Sequence, residues 1–162
     1  KALVFDLDGT LVDTKYDMLE AGNLVFESQG WATRLKGFSG LQTAIQGGRA
    51  ILRYGLKEEG ISFNEKLLGD YYQLYLQNYD TVLDNRSVNY ADVVGTLEEL
   101  QFMGVKLGLC TNKPEKQARE LLSRVGIIDF FKSSFIGSDT VGIAKPDPKP
   151  LLEAIYRLDK RP

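Results

Sequence analysis

The chain has 162 residues, 43% hydrophobic and 26% charged, with 20 basic and 22 acidic side chains for a net charge of −2. This is the make-up of a globular protein with one good-sized core, or a core plus a small appended domain. It offers no basic block for nucleic acid or an anionic membrane, and no apolar run of membrane-spanning length.

A single cysteine, Cys110, leaves no partner for a disulfide within these residues and suits a reducing cytoplasm. The absence of histidine restricts the chemistry most. It removes serine–histidine and cysteine–histidine catalysis, most zinc sites and the usual base at neutral pH. Chemistry in this chain falls to carboxylates, hydroxyls, lysines, backbone amides and a hard metal bound through oxygen.

Ala2 to Leu7 is a short, nearly continuous apolar run closing on Asp8-Gly9, which predicts a strand buried on both faces and then a turn. From about Asp13 to Asp84 the pattern turns helical. Tyr16 to Gln29 is amphipathic and stops at Gly30; Ala44 to Leu56 predicts a second helix, with Gly47-Gly48 inside it. Asn64 to Tyr79 repeats Leu68, Tyr71, Tyr72, Tyr75 and Tyr79 at three-to-four spacing behind a capping Asn64, the signature of a packing face.

Asp92 to Met103 predicts a helix ended by Gly104, and Val105 to Cys110 a second strand. Pro114 stands at the first position of a helix that Gly126 ends, and Ser134 to Gly137 predicts a third strand. Asp147-Pro148 caps a last helix, Lys149 to Leu158. Asp159-Lys160-Arg161-Pro162 reads as a connection, so the chain is expected to continue toward a fourth strand, without which the first strand has an open apolar edge. The order is that of an α/β protein: a parallel-sheet core from 1–13 and 86–162, and a helical insertion at 14–85.

Ligands of open parallel sheets bind beyond the carboxyl ends of the strands. Asp6-Leu7-Asp8, Thr111-Asn112 and Lys145 all follow predicted strands and converge on that edge. Such a set suits phosphoryl transfer. One carboxylate attacks phosphorus, the other gives a proton to the leaving alcohol and later takes one from water, and a magnesium ion screens the anions. Cys110, at a strand end, reads as a small core residue and not as a nucleophile.

Phe5-Asp6-Leu7-Asp8-Gly9-Thr10-Leu11-Val12-Asp13-Thr14 resembles the first motif of the haloacid dehalogenase superfamily. Leu109-Cys110-Thr111-Asn112-Lys113-Pro114 resembles its second motif and Lys145-Pro146-Asp147-Pro148 its third, in the family's order and spacing. The resemblance spans essentially the whole chain, and in Thr111-Asn112-Lys113-Pro114-Glu115 and in Gly137-Ser138-Asp139-Thr140 running into Lys145-Pro146-Asp147-Pro148 it resembles bacterial phosphoglycolate phosphatases. It implies a Rossmann-like core with a helical cap inserted after the first strand. It also implies roles: Asp6 as nucleophile and metal ligand, and Asp8 as acid and base, binding the metal through its carbonyl. Thr111 and Asn112 would hold phosphate, and Lys145 would steady nucleophile and phosphate. Mg2+ is the implied cofactor. The family's fourth acidic motif, which adds a metal ligand, does not occur after Leu158.

The implied activity is hydrolysis of a small anionic phosphomonoester through an aspartyl-phosphate, with a small phosphorylated metabolite as the partner, no nucleic acid or membrane, and monomer and homodimer both open. A phosphomutase or phosphotransferase on the same framework is the alternative, as is a non-catalytic binding domain if the chain ends here. The cap would choose the substrate, with Gly48 and Arg49 the candidate contacts to a substrate carboxylate through backbone amide and guanidinium.

Overall fold

The structure, a computed structural model, describes residues 1–160. In chain order its elements are β1 (Ala2–Phe5), β2 (Val12–Asp13), α1 (Lys15–Ser28), α2 (Gly37–Ile45), α3 (Gly48–Glu58), α4 (Glu65–Val82), β3 (Val88–Asn89), α5 (Val93–Phe102), β4 (Lys106–Cys110), α6 (Glu115–Arg124), β5 (Ser134–Ile136) and α7 (Lys149–Lys160). They form two compact units: Lys1–Asp13 with the chain from Val88 onward, and Thr14–Ser87. Among the described residues no helix is long and apolar enough to cross a membrane.

The first unit is built on a parallel sheet ordered β1-β4-β5, the α/β architecture expected of the strand–helix alternation. Val4 pairs with Gly108 and Phe5 with Leu109, while Leu109 pairs with Phe135 and Cys110 with Ile136. This register sets the carboxyl ends of all three strands side by side. β4 is central and reads as a fully buried strand should: Leu107, Leu109 and Cys110 are each at most 3% exposed. α7 lies on the sheet, with Ala154 packed among Cys110, Ile136 and Val4.

β1 departs from the expectation of a strand buried on both faces. Leu3 is 44% exposed, and Val4 and Phe5 are only half-buried. The reason is its place in the order: among the described residues β1 pairs with β4 alone. Burial in a sheet follows from neighbours, and an apolar run does not say how many it has. The helix ends shift too. Pro114 sits just before α6 with an extended ψ of 141°, so the helix begins at Glu115. Asp159 and Lys160 continue α7, while Arg161 and Pro162 lie outside the described residues.

The second unit is helical. α1 buries Met18, Ala21, Gly22, Val25 and Phe26 at three-to-four spacing, and α4 buries Leu68, Tyr75, Tyr79 and Val82. The Asn64 side chain accepts the Leu67 amide at 2.9 Å, capping α4. Tyr72, Tyr75 and Tyr79 stack in series along that helix. The predicted helix from Ala44 to Leu56 is instead the end of α2 and most of α3. Gly47, with φ at 99°, turns the chain where a side chain would be strained. The helix Gly37–Ile45 that precedes it was not anticipated.

Gly48, the first residue of α3, abuts the ring of Tyr75, and a Cβ there would overlap the ring. Tyr75 is 3% exposed and stacked on both sides, so it has no room to retreat. Gly48→Ala is expected to destabilise the protein by about 1–3 kcal/mol in urea unfolding, as overpacking does. Gly69→Ala, inside α4 with open space around it, is expected to stabilise by about 0.5–1 kcal/mol. Equal effects at the two positions would refute the packing argument.

Two features tie the ends of this insertion. β2 and β3 form an antiparallel pair, Val12 with Asn89 and Asp13 with Val88. Inside the helical unit the Asp17 carboxylate, 1% exposed, accepts the Arg86 amide at 3.0 Å, the Ser87 amide at 2.7 Å and the Ser87 hydroxyl at 2.6 Å.

Candidate active site

The loop after β1 is built around one peptide. The Leu7 side chain is fully buried, and its carbonyl accepts the amides of Thr10, Leu11 and Val12 at 2.9–3.2 Å. The Gly9 amide closes the loop on the Val12 carbonyl at 3.0 Å. Leu7 is thereby an anchor, and Asp6 and Asp8 on either side of it are held at the sheet's carboxyl edge. Asp6 Oδ1 also accepts the Leu7 amide at 2.7 Å.

Each carboxylate has an ammonium partner from a different element. Lys145 Nζ is 3.0 Å from Asp6 Oδ1 and donates to the Cys110 carbonyl at 2.9 Å. Lys113 Nζ is 3.0 Å from Asp8 Oδ1. Asp6 is the more open of the two, with its side chain 45% exposed against 23% for Asp8.

Thr111 follows β4 and is 2% exposed; its amide donates to the Ile136 carbonyl at 2.9 Å, and its hydroxyl accepts the Lys113 amide at 3.1 Å. A hydroxyl that accepts one bond retains its proton for an anionic oxygen. The Asn112 carboxamide is occupied differently from a phosphate ligand. It donates to the Lys145 carbonyl at 3.1 Å and accepts the Lys145 amide at 2.9 Å, which leaves its second Nδ2 proton and its main-chain N–H for an anionic oxygen. Asn112 thus locks the peptide of the lysine whose ammonium meets Asp6.

The loop after β5 is braced against the start of α6. Asp139 Oδ1 accepts the Glu115 amide at 2.8 Å, and the Thr140 hydroxyl donates to the Glu115 carboxylate. Burial pushes the Cys110 thiol up from its ordinary range, the positive charge of Lys145 opposing this and the negative charge of Asp6 adding to it. A thiol raised in this way stays protonated at neutral pH and is no nucleophile.

The two carboxylates, Asp6 and Asp8, offer oxygen donors only. Such a donor set fits magnesium, which is held by one or two carboxylates with water and substrate phosphate, and does not fit a soft metal. Among the described residues no group of three or more histidine, cysteine or acidic side chains gathers.

Asp6, Asp8, Thr111, Asn112 and Lys145 therefore meet at one edge of the first unit. Gly48 and Arg49 belong to the helical unit. Packing against Tyr75 accounts for Gly48, and the Arg49 guanidinium lies over the Tyr72 ring at 4.7 Å and 3.6 Å from Glu65. Lys113 was missed. The signal was present as a lysine at a strand end, but its burial is a tertiary fact. Asp17 was missed because an acid in a helix's first turn reads as ordinary dipole compensation.

The model of the haloacid dehalogenase-like hydrolases matches residues 1–162. A phosphoglycolate phosphatase from Rhodobacter capsulatus is 32% identical over 165 residues, covering 99% of this chain and 72% of the relative. One from Yersinia pseudotuberculosis is 34% identical over 159 residues, covering 98% of this chain and 67% of the relative. The crystal structure of a predicted phosphoglycolate phosphatase from Haemophilus somnus superposes with a TM-score of 0.77 at 25% identity, covering 98% of this chain and 72% of that one.

Proposed function

The chain belongs to the haloacid dehalogenase-like hydrolases and is a phosphatase, and from that premise we propose magnesium-dependent hydrolysis of small phosphomonoesters through an aspartyl-phosphate on Asp6. The observation that carries this reading is the ion pair of Asp6 with Lys145 at the carboxyl edge of the parallel sheet. It holds an open carboxylate at hydrogen-bond distance from a cation, beside Thr111 on the neighbouring strand's end.

The reaction proceeds in two displacements. Asp6 Oδ attacks phosphorus and the ester P–O bond breaks, while Asp8 as the acid gives its proton to the departing alkoxide. Asp8, now a carboxylate, takes a proton from water as that water attacks phosphorus. The bond to Asp6 breaks, and inorganic phosphate leaves with both carboxyl groups restored. The Lys145 ammonium offsets charge on Asp6 and the phosphoryl oxygens, and the Thr111 hydroxyl and Asn112 main-chain amide donate to those oxygens. One such donor is worth on the order of 10²–10³ in rate in comparable sites. Magnesium, bound by the Asp6 carboxylate and the Asp8 carbonyl, would supply charge neutralisation for the approach of two anions.

The helical unit serves in this reading as the cap that chooses the substrate, with 2-phosphoglycolate the first candidate by likeness to the relatives' named activity. Arg49 is the cap residue proposed to meet a substrate carboxylate, exchanging Glu65 for the ligand. The test is phosphate release from a panel of small phosphomonoesters by the full-length natural protein. Turnover is expected to disappear in EDTA and return with magnesium, fastest on a small carboxylated ester. Release indifferent to EDTA would sink the magnesium reading, and labelled phosphate arriving on an acceptor hydroxyl instead of free in solution would make the protein a phosphotransferase.

A further inference from the structure

We propose that Lys113 is a positioning residue for the reaction, holding Oδ1 of the Asp8 carboxyl group so that Oδ2 carries its proton to the leaving group; this rests on the acid role given to Asp8 above. The Lys113 ammonium is 3.0 Å from Asp8 Oδ1, and its side chain is only 5% exposed. An ammonium withdrawn from water is costly to keep unless a carboxylate answers it in good geometry. A lysine that merely solvated a loop would extend outward, as the exposed Lys132 does.

Both ends of the pair stand on fixed backbone. The Lys113 amide donates to Thr111 Oγ1, and its carbonyl accepts the Ser138 amide at 3.1 Å. Pro114 behind it restricts Lys113 to extended backbone. Ser138 belongs to the loop that Asp139 and Thr140 brace against Glu115. On the other side, Asp8 follows the Leu7 peptide, whose carbonyl gathers three amides. With both main chains pinned, the ion pair selects one side-chain rotamer of Asp8. Lys145 does the corresponding work for Asp6, so each carboxylate has its own cation. Displacement of a reacting group by about 1 Å costs about a hundredfold in rate.

The test is a leaving-group series, from p-nitrophenyl phosphate to simple alkyl phosphates, with magnesium and the full-length protein. Lys113→Met, Lys113→Arg, Asp8→Asn and the Asp8→Asn/Lys113→Met double variant are compared with wild type. Lys113→Met is expected to lose about tenfold to a hundredfold in kcat/KM, which reports only the steps through cleavage of the ester bond, on alkyl esters, which need a proton. On p-nitrophenyl phosphate, whose leaving group departs without one, the loss should stay under about threefold. Lys113→Arg should recover most of the alkyl rate, and the double variant should be no slower than Asp8→Asn alone. Binding of inorganic phosphate by calorimetry should be unchanged in Lys113→Met.

An equal loss across the series would make Lys113 structural and overturn the proposal. A raised KM with weakened phosphate binding would make it a substrate ligand, which overturns it too. If Asp8→Asn itself shows no leaving-group dependence, the acid role of Asp8 falls and this assignment with it. Should Lys113→Met fail to fold, Lys113→Gln is read on the same series with the same expectations.

Discussion

Asp6→Asn is expected to abolish phosphate release while leaving the protein folded. Removing a nucleophile that works with its neighbours as a unit costs on the order of 10⁴–10⁶ in turnover, because the remaining groups have no bond to form. The carboxamide is nearly isosteric and keeps an oxygen for the Leu7 amide. What it loses is the charge facing Lys145. That pair is nearly half open to solvent on the aspartate side, so its contribution to stability is about 0–1 kcal/mol. The two readouts separate cleanly. Circular dichroism and Tm should match the wild type within a few degrees, and single-turnover assays should show no phosphorylated protein. Residual turnover within tenfold of wild type would exclude Asp6 as nucleophile.

The second large effect is on stability. Asp17→Ala removes the acceptor for two main-chain amides and a hydroxyl at the end of the insertion. Asp17 is 1% exposed and Ser87 6%, so water does not readily replace the lost carboxylate. Each buried donor left without a partner costs about 1–3 kcal/mol, and with the Arg86 amide only part-buried the three together are taken at the lower end of their sum, about 3 kcal/mol. For a chain of this size that corresponds to a drop of about 10 °C in Tm. Asp17→Asn keeps one acceptor oxygen and should lose clearly less. Differential scanning calorimetry of the three proteins decides the matter, and an unchanged Tm in Asp17→Ala would show that the contacts at Arg86 and Ser87 carry no stability.

The core strands, the capped helix α4 and the carboxylates at the sheet's carboxyl edge were legible because each leaves a local trace. β4 is an unbroken apolar run, Asn64 precedes a periodic segment, and Asp6 interrupts a run where an unpaired charge would be expensive. Other features were illegible for reasons equally physical. β2 and β3 are two residues each, too short for any period, and exist only because they find one another across the insertion. The break between α2 and α3 depends on the φ of Gly47, and glycine is compatible with either course. Asn112 and Lys113 illustrate the limit best. Their presence beside Thr111 signalled a site, but which side chain braces Lys145 and which meets Asp8 is decided by partners 33 and 105 residues away in the chain.

The β2–β3 pair bears on how such a chain can change over time. Because Asp13 and Val88 are hydrogen-bonded neighbours, the polypeptide departs and returns at a single doorway. Insertions are best tolerated where their two ends already lie together, since the host then has no strain to absorb. Everything between those residues can be lengthened, exchanged or redrawn while the reacting edge keeps its register. Under the proposed function, a lineage can thus alter which molecules it accepts without renegotiating the chemistry applied to them.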